Sequence, residues 1–155
     1  MTSIDALLQL PDVLRLRAAL AARPGVRITT DDSSRRLAAI ALVLRPGEGH
    51  AATGDPELLM IKRAEHEGDP WSGHIACPGG RMEPGDRDLG VTAVRETLEE
   101  TGVDVARDGR LLGHLDDLFP RTPTLPPIVI RPYVALVRAD VLFRTPRPPY
   151  CPEDF

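Results

Sequence analysis

A chain of 155 residues with 42% hydrophobic and 27% charged side chains holds one domain large enough to bury a core, and such a composition excludes wholesale disorder and fibrous repeats. Its longest apolar stretch, residues 37–44, falls far short of the roughly 20 residues a membrane helix needs, and the opening Met-Thr-Ser-Ile-Asp has no basic n-region, so no membrane contact and a cytoplasmic location are expected. A net charge of −4 argues against nucleic acid as a partner, because nonspecific binding depends on clustered cations, and it means that a polyanionic ligand needs local help such as a metal ion.

Residues 3–22 carry Ile4, Leu7, Leu8, Val13, Leu14, Leu16 and Leu20 at mostly helical spacing, with Ser3 as N-cap, a restart at Pro11–Asp12 and a stop at Pro24–Gly25. This predicts one broken helix or two short ones. The apolar run 37–44, ended by Pro46–Gly47, predicts a buried strand, and residues 57–63 its hairpin partner after a loop at 46–56. Residues 65–85 are too rich in glycine and proline for a helix and form a shaped loop, with room for a brief strand at 74–77. Asp86 serves as the N-cap of a helix running to Thr101, which Gly102 terminates. Residues 110–118 and 128–137 read as strands separated by the proline-rich stretch 120–127. Nine of the sixteen prolines follow Phe119, so residues 138–155 receive no regular structure. Cys77 and Cys151 are too few for a disulfide framework and read as free thiols.

On a helix, Glu96, Glu99 and Glu100 fall within a wedge of roughly 100°, with Val91, Val94 and Leu98 opposite as the core face. Like charges three and four residues apart cost stability unless a cation compensates, and a hard divalent ion with oxygen ligands is suited to that place. A solvated acidic face with Arg95 paired to Glu99 is the simpler alternative. Just before this helix stand Pro78, Gly79 and Gly80, and its own sequence runs Arg95-Glu96-Thr97-Leu98-Glu99-Glu100-Thr101-Gly102-Val103.

That tail resembles R-E-U-x-E-E-x-G-U, the second half of the Nudix box, with Thr97 where an aliphatic residue is usual. The general box has the spacing G-x5-E-x7-R, whereas Gly80 and Arg95 are one residue further apart, and Asp86 or Asp88 stands in for the usual glutamate. Pro78, Gly79, Gly80, Glu83, Asp86, Asp88, Thr92, Ala93, Val94, Arg95 and Glu96 are similar to the coenzyme A pyrophosphatase branch. Upstream, Arg63-Ala64, Gly73 and Ile75 fit that branch, while Trp71 and Cys77 replace its histidine and phenylalanine. The resemblance covers about residues 37–137.

It implies an α/β/α sandwich with a mixed sheet, dependent on Mg²⁺ or Mn²⁺, that hydrolyses a nucleoside diphosphate derivative. Coenzyme A or an acyl form is the first expectation; ADP-ribose or NADH is the alternative, as is a noncatalytic nucleotide-binding module. Glu96, Glu99, Glu100 and the carbonyl of Gly79 are then the metal ligands, Glu96 and Glu99 the catalytic carboxylates, and Arg63, His74, Gly80 and Arg81 the substrate contacts. Arg95 with Asp86 or Asp88 braces loop against helix. His74 touches phosphate or merely bonds nearby backbone; Lys62 and Arg63 bind a 3′-phosphate or end a strand in solvent. Trp71 stacks on a base or anchors packing, and Asp116 or Asp117 orients water or is surface solvation. The expected organisation is a helical segment at 1–36, the hydrolase domain at 37–137 and a proline-rich arm at 138–155. Because that arm carries aromatic residues but no long helix, it is expected to lie across a second copy in a homodimer.

Overall fold

The structure, a computed structural model, describes residues 3–28, 36–47, 55–65, 67–68, 72–120 and 127–143. Helices α1 (Ile4–Leu7) and α2 (Pro11–Ala22) lead into β1 (Arg36–Arg45), which is followed by β2 (Glu57–Leu58), β3 (Ile61–Lys62), β4 (Ile75–Ala76) and β5 (Gly79–Arg81). Then come α3 (Leu89–Thr101), α4 (Val105–Asp108), β6 (Gly109–His114) and β7 (Ile128–Val137). The main sheet has the order β2-β1-β7-β6, with β5 also paired to β1, and it is mixed: β1 and β7 run parallel while the other pairs are antiparallel. Among the described residues no helix is long and apolar enough to cross a membrane.

β1 is the central strand, and its alternation explains where the layers lie. Ala39, Ala41 and Val43 are fully buried on one face, and two alanines there let α3 approach closely. They join Leu89, Ala93, Val103, Val105, Ala135 and Val137 in the main core. The opposite face is covered at its β6 end by the N-terminal helices. A β-bulge between Leu111 and Gly113 turns Gly113 away from α3, so that it meets the side chain of Leu20 in α2. Leu7 of α1 is wholly buried. The expected sandwich is present, with helices on both faces.

The strand expected over 57–63 is divided. Leu58 and Glu57 pair with Leu44 and Arg45 as the hairpin requires, but Ile61 and Lys62 leave the sheet to pair with Ala76 and Ile75. The strand expected over 110–118 ends at His114; Leu115 still donates to the carbonyl of Pro132 at 2.9 Å, and the next pairing with β7 comes at Leu118, opposite Ile130. Pro132 sits in that gap, where its missing N–H leaves no ladder bond unmade. Residues of the gap hold the N-terminal segment instead. Asp116 accepts from the backbone N–H of Val26 at 2.9 Å, and buried Asp117 accepts from that of Ile28 at 2.9 Å.

Two further expectations are corrected. Asp88, not Asp86, caps α3, its carboxylate accepting from the N–H of Val91 at 3.0 Å; Asp86 lies outside the helix, turned toward Arg95. Of the expected core face, Val94 packs against the core while Leu98 is exposed, and the buried residues include Thr92, Ala93, Glu96, Thr97 and Glu100. Thr92, Ala93 and Thr97 are the small side chains that a close approach to β1 and β5 can accommodate. The helix thus turns two of its three glutamates inward.

Candidate active site

α3 lies against β5, and the contact is set by two glycines. A Cβ on Gly79 would overlap the backbone of Ala39 and Ile40, so glycine there serves the approach of β5 to β1. A Cβ on Gly80 would overlap the carboxylate of Glu96. Only glycine at position 80 leaves room for that carboxylate beside the strand. One turn on, Glu100 accepts a hydrogen bond from the backbone N–H of Gly79 at 2.8 Å. Burial pushes its carboxyl up to about 7, reinforced by the charges of Glu96 and Glu99 and opposed by the Gly79 N–H and the nearby Arg63. Burial likewise raises the Glu96 carboxyl, with Arg95 opposing. Glu99 is exposed.

Arg95 stands at the centre of these acids. Its Nε and Nη2 donate to the two oxygens of Asp86 at 3.1 and 2.9 Å, Nη1 donates to Glu96 at 3.0 Å and to Glu99 at 3.2 Å, and Nη2 also reaches the carbonyl of Arg81 at 3.0 Å. Glu83, which the sequence reading left without a role, lies 3.6 Å away. The buried carboxyl of Asp86 is held down at about 2, chiefly by Arg95, and it also accepts from the Thr92 hydroxyl at 2.9 Å. Asp86 is therefore the partner of Arg95, and Asp88 caps the helix.

Three carboxylates are hard oxygen donors of the kind that hold Mg²⁺ or Mn²⁺. Among the described residues no three acidic, histidine or cysteine side chains are gathered closely enough to enclose an ion, because Arg95 occupies the space between Glu96 and Glu99. The donor set fits a divalent cation by chemistry, with Arg95 as its present counter-charge.

The remaining candidates are dispersed. Arg63 is half-buried in reach of Glu100, while its neighbour Lys62 is exposed; consecutive strand residues face opposite ways, so the two do not form one clamp. His74 is exposed, and its carbonyl accepts from the N–H of Arg63 at 3.0 Å. Trp71 and Cys151 lie outside the described residues. Cys77 is half-buried with its thiol pushed up by burial, 3.8 Å from the sulfur of Met60. Asp117 is not free to orient water: Arg131 donates to it twice, at 2.7 and 2.8 Å. The sequence reading also missed β5 and α4, the first too short for periodicity and the second a single turn signalled only by its cap, Asp104.

Comparison with known proteins gives a consistent picture. The profile of the NUDIX domain matches residues 34–150. A mitochondrial coenzyme A diphosphatase of Mus musculus is 35% identical over 68 residues, covering 44% of this chain and 32% of that protein. An uncharacterised Nudix hydrolase of Yersinia pestis is 33% identical over 112 residues, covering 72% of this chain and 49% of the relative. The chain spans half or less of the length of these curated relatives. Among solved structures, a Caenorhabditis elegans Ap4A hydrolase superposes with a TM-score of 0.53 at 23% identity, covering 71% of this chain and 75% of that one. The NUDIX domain of Shewanella oneidensis NrtR, complexed with ADP ribose, gives 0.52 at 19% identity over 84% of this chain and 73% of that one.

Proposed function

The chain belongs to the Nudix family, and from that premise we propose that it is a metal-dependent hydrolase of nucleoside diphosphate derivatives, acting on coenzyme A or an acyl-CoA. The observation that carries this reading is the packing of Glu96 against Gly80, with Glu100 tied to the Gly79 N–H and Glu99 exposed on the next turn. The partial likeness to a coenzyme A diphosphatase supports the choice of substrate.

Glu96, Glu99 and Glu100, with the carbonyl of Gly79, would hold Mg²⁺ or Mn²⁺. When bound there, such an ion would offset pyrophosphate charge and lower the pKa of a water, supplying a nucleophile at neutral pH. Gly80 keeps the strand edge clear of side-chain bulk where a phosphate must pass. Arg95, anchored on Asp86, fixes the orientation of Glu96 and Glu99 as positioning residue. Arg63 brings a cation to the Glu100 side of the cleft, where phosphate oxygens would lie, and His74 borders it. One P–O bond of the pyrophosphate breaks as water adds, giving 3′,5′-ADP and 4′-phosphopantetheine from coenzyme A.

Purified protein is to be assayed with Mg²⁺ and with Mn²⁺ against coenzyme A, ADP-ribose, NADH and diadenosine tetraphosphate. Cleavage of coenzyme A above the others supports the proposal; preference for ADP-ribose or NADH replaces the substrate and keeps the chemistry. A second reading, a noncatalytic nucleotide-binding module, is favoured by the way Arg95 already satisfies Glu96 and Glu99, and it is what an absence of turnover on all four would support. The working unit is proposed to be a homodimer.

A further inference from the structure

On the side of β5 that faces away from α3, two arginines share one patch of sheet. Arg81 pairs directly with Ala38 of β1, so Arg36, two residues earlier on that strand, is its diagonal neighbour on the same face, about 7–8 Å away across the backbone. Both are exposed, and Ala38 between them is a small, buried floor. Among the described residues neither guanidinium has a carboxylate as hydrogen-bond or ion-pair partner. Like charges so placed repel, and the Arg81 guanidinium is accordingly lowered, by burial of its stem first and the Arg36 charge second. The carbonyl of Arg81 accepts from Arg95, and Gly80, one residue before it, touches Glu96. Among the described elements β5 pairs only with β1, so its outer edge is open.

We propose that Arg36 and Arg81 clamp a phosphate monoester on the ribose of the substrate, whose pyrophosphate lies across the edge of β5 at Glu96. The inference rests on the reading of the carboxylate cluster as the pyrophosphate site, and it narrows the substrate class to nucleoside diphosphate derivatives phosphorylated at the 2′ or 3′ position. Two guanidiniums are suited to a dianionic phosphate because each presents paired N–H donors. The clamp also moves the 3′-phosphate contact from Lys62 and Arg63, whose side chains diverge, to a pair on one face of the sheet.

The test is calorimetric titration of the full chain, without metal, with 3′,5′-ADP, 2′,5′-ADP and 5′-AMP. One of the bisphosphates is expected to bind about tenfold or more tightly than 5′-AMP, and which one it is tells the 3′ from the 2′ source. In the double variant Arg36→Gln/Arg81→Gln that preference disappears while 5′-AMP binding holds, and each single variant, at an exposed position, loses part of it. Equal binding of all three nucleotides, no binding of any, or a preference that survives the double substitution overturns the clamp. Hydrolysis is not part of this readout, so a failed clamp leaves the proposed activity to its own assay.

Discussion

Arg95 shows how much one side chain settles at this site. It neutralises buried Asp86 and at the same time holds Glu96 and Glu99. Replacing it by alanine strands a buried carboxylate, which costs roughly 3–5 kcal/mol, so Arg95→Ala should lose both melting temperature and activity; lost activity with an unchanged melting temperature would make Arg95 a substrate contact instead. The same pair sets an acid limit. Asp86 has its carboxyl depressed to about 2 in the folded protein against about 3.9 in an unfolded chain. Its stabilisation is therefore complete above about pH 4 and drains away as the pH falls toward 2. Melting curves between pH 5 and pH 2 should fall more steeply for the wild type than for Asp86→Asn, and parallel curves would contradict the assignment. At this scale the carboxylates and Arg95 were legible because charge spacing on a helix needs no tertiary information. That Asp86 rather than Asp88 answers Arg95 was not legible, since both stand within reach until the helix start is fixed by Asp88.

Among the elements, α1 and α2 read as helices in the sequence, but nothing there said what they cover. They lie on the sheet face opposite α3, held by Leu7, by Leu20 against Gly113, and by the bonds of Asp116 and Asp117 to the backbone at residues 26 and 28. Leu7→Ala should then cost about 2–5 kcal/mol, as for a core leucine; denaturant unfolding that is unchanged would show that the N-terminal helices are dispensable. α3 taught the opposite lesson. Its limits were nearly right, yet two of the three glutamates on the face expected to meet an ion are buried, because Glu96 and Glu100 are taken in by the glycine edge of β5, while Leu98, expected in the core, is left outside. Hydrophobic patterning misleads where a site is built from buried charge. β5 itself, three residues with two glycines, carries no strand signal at all.

For the whole molecule, the described part of the C-terminal stretch folds back on its own domain. Val141 is buried, its carbonyl accepts from Arg45 at 2.6 Å, and the Arg45 guanidinium lies 4.3 Å from the ring centre of Phe143. The arm that would reach a second copy accordingly begins after Phe143, and residues 144–155 lie outside the described residues. Light scattering of the full chain should report about twice 16.9 kDa, and a chain ending at Phe143 should be a monomer with impaired hydrolysis. A full-length monomer at high micromolar concentration that hydrolyses its substrate well would rule out the shared cleft. The proline content made this region unreadable as an element, and its folding back depends on Arg45, a partner about a hundred residues away that no local pattern reveals.

Hydrolysis of coenzyme A as a function of Mg²⁺ concentration, with wild type beside Glu99→Gln and Glu100→Gln, tests the central claim most directly. The account predicts no turnover without metal, a saturable rise with it, and a loss of more than about a hundredfold in each variant at near-native stability. Turnover by Glu100→Gln at the wild-type rate, or turnover by the wild type that ignores added chelator, would contradict it.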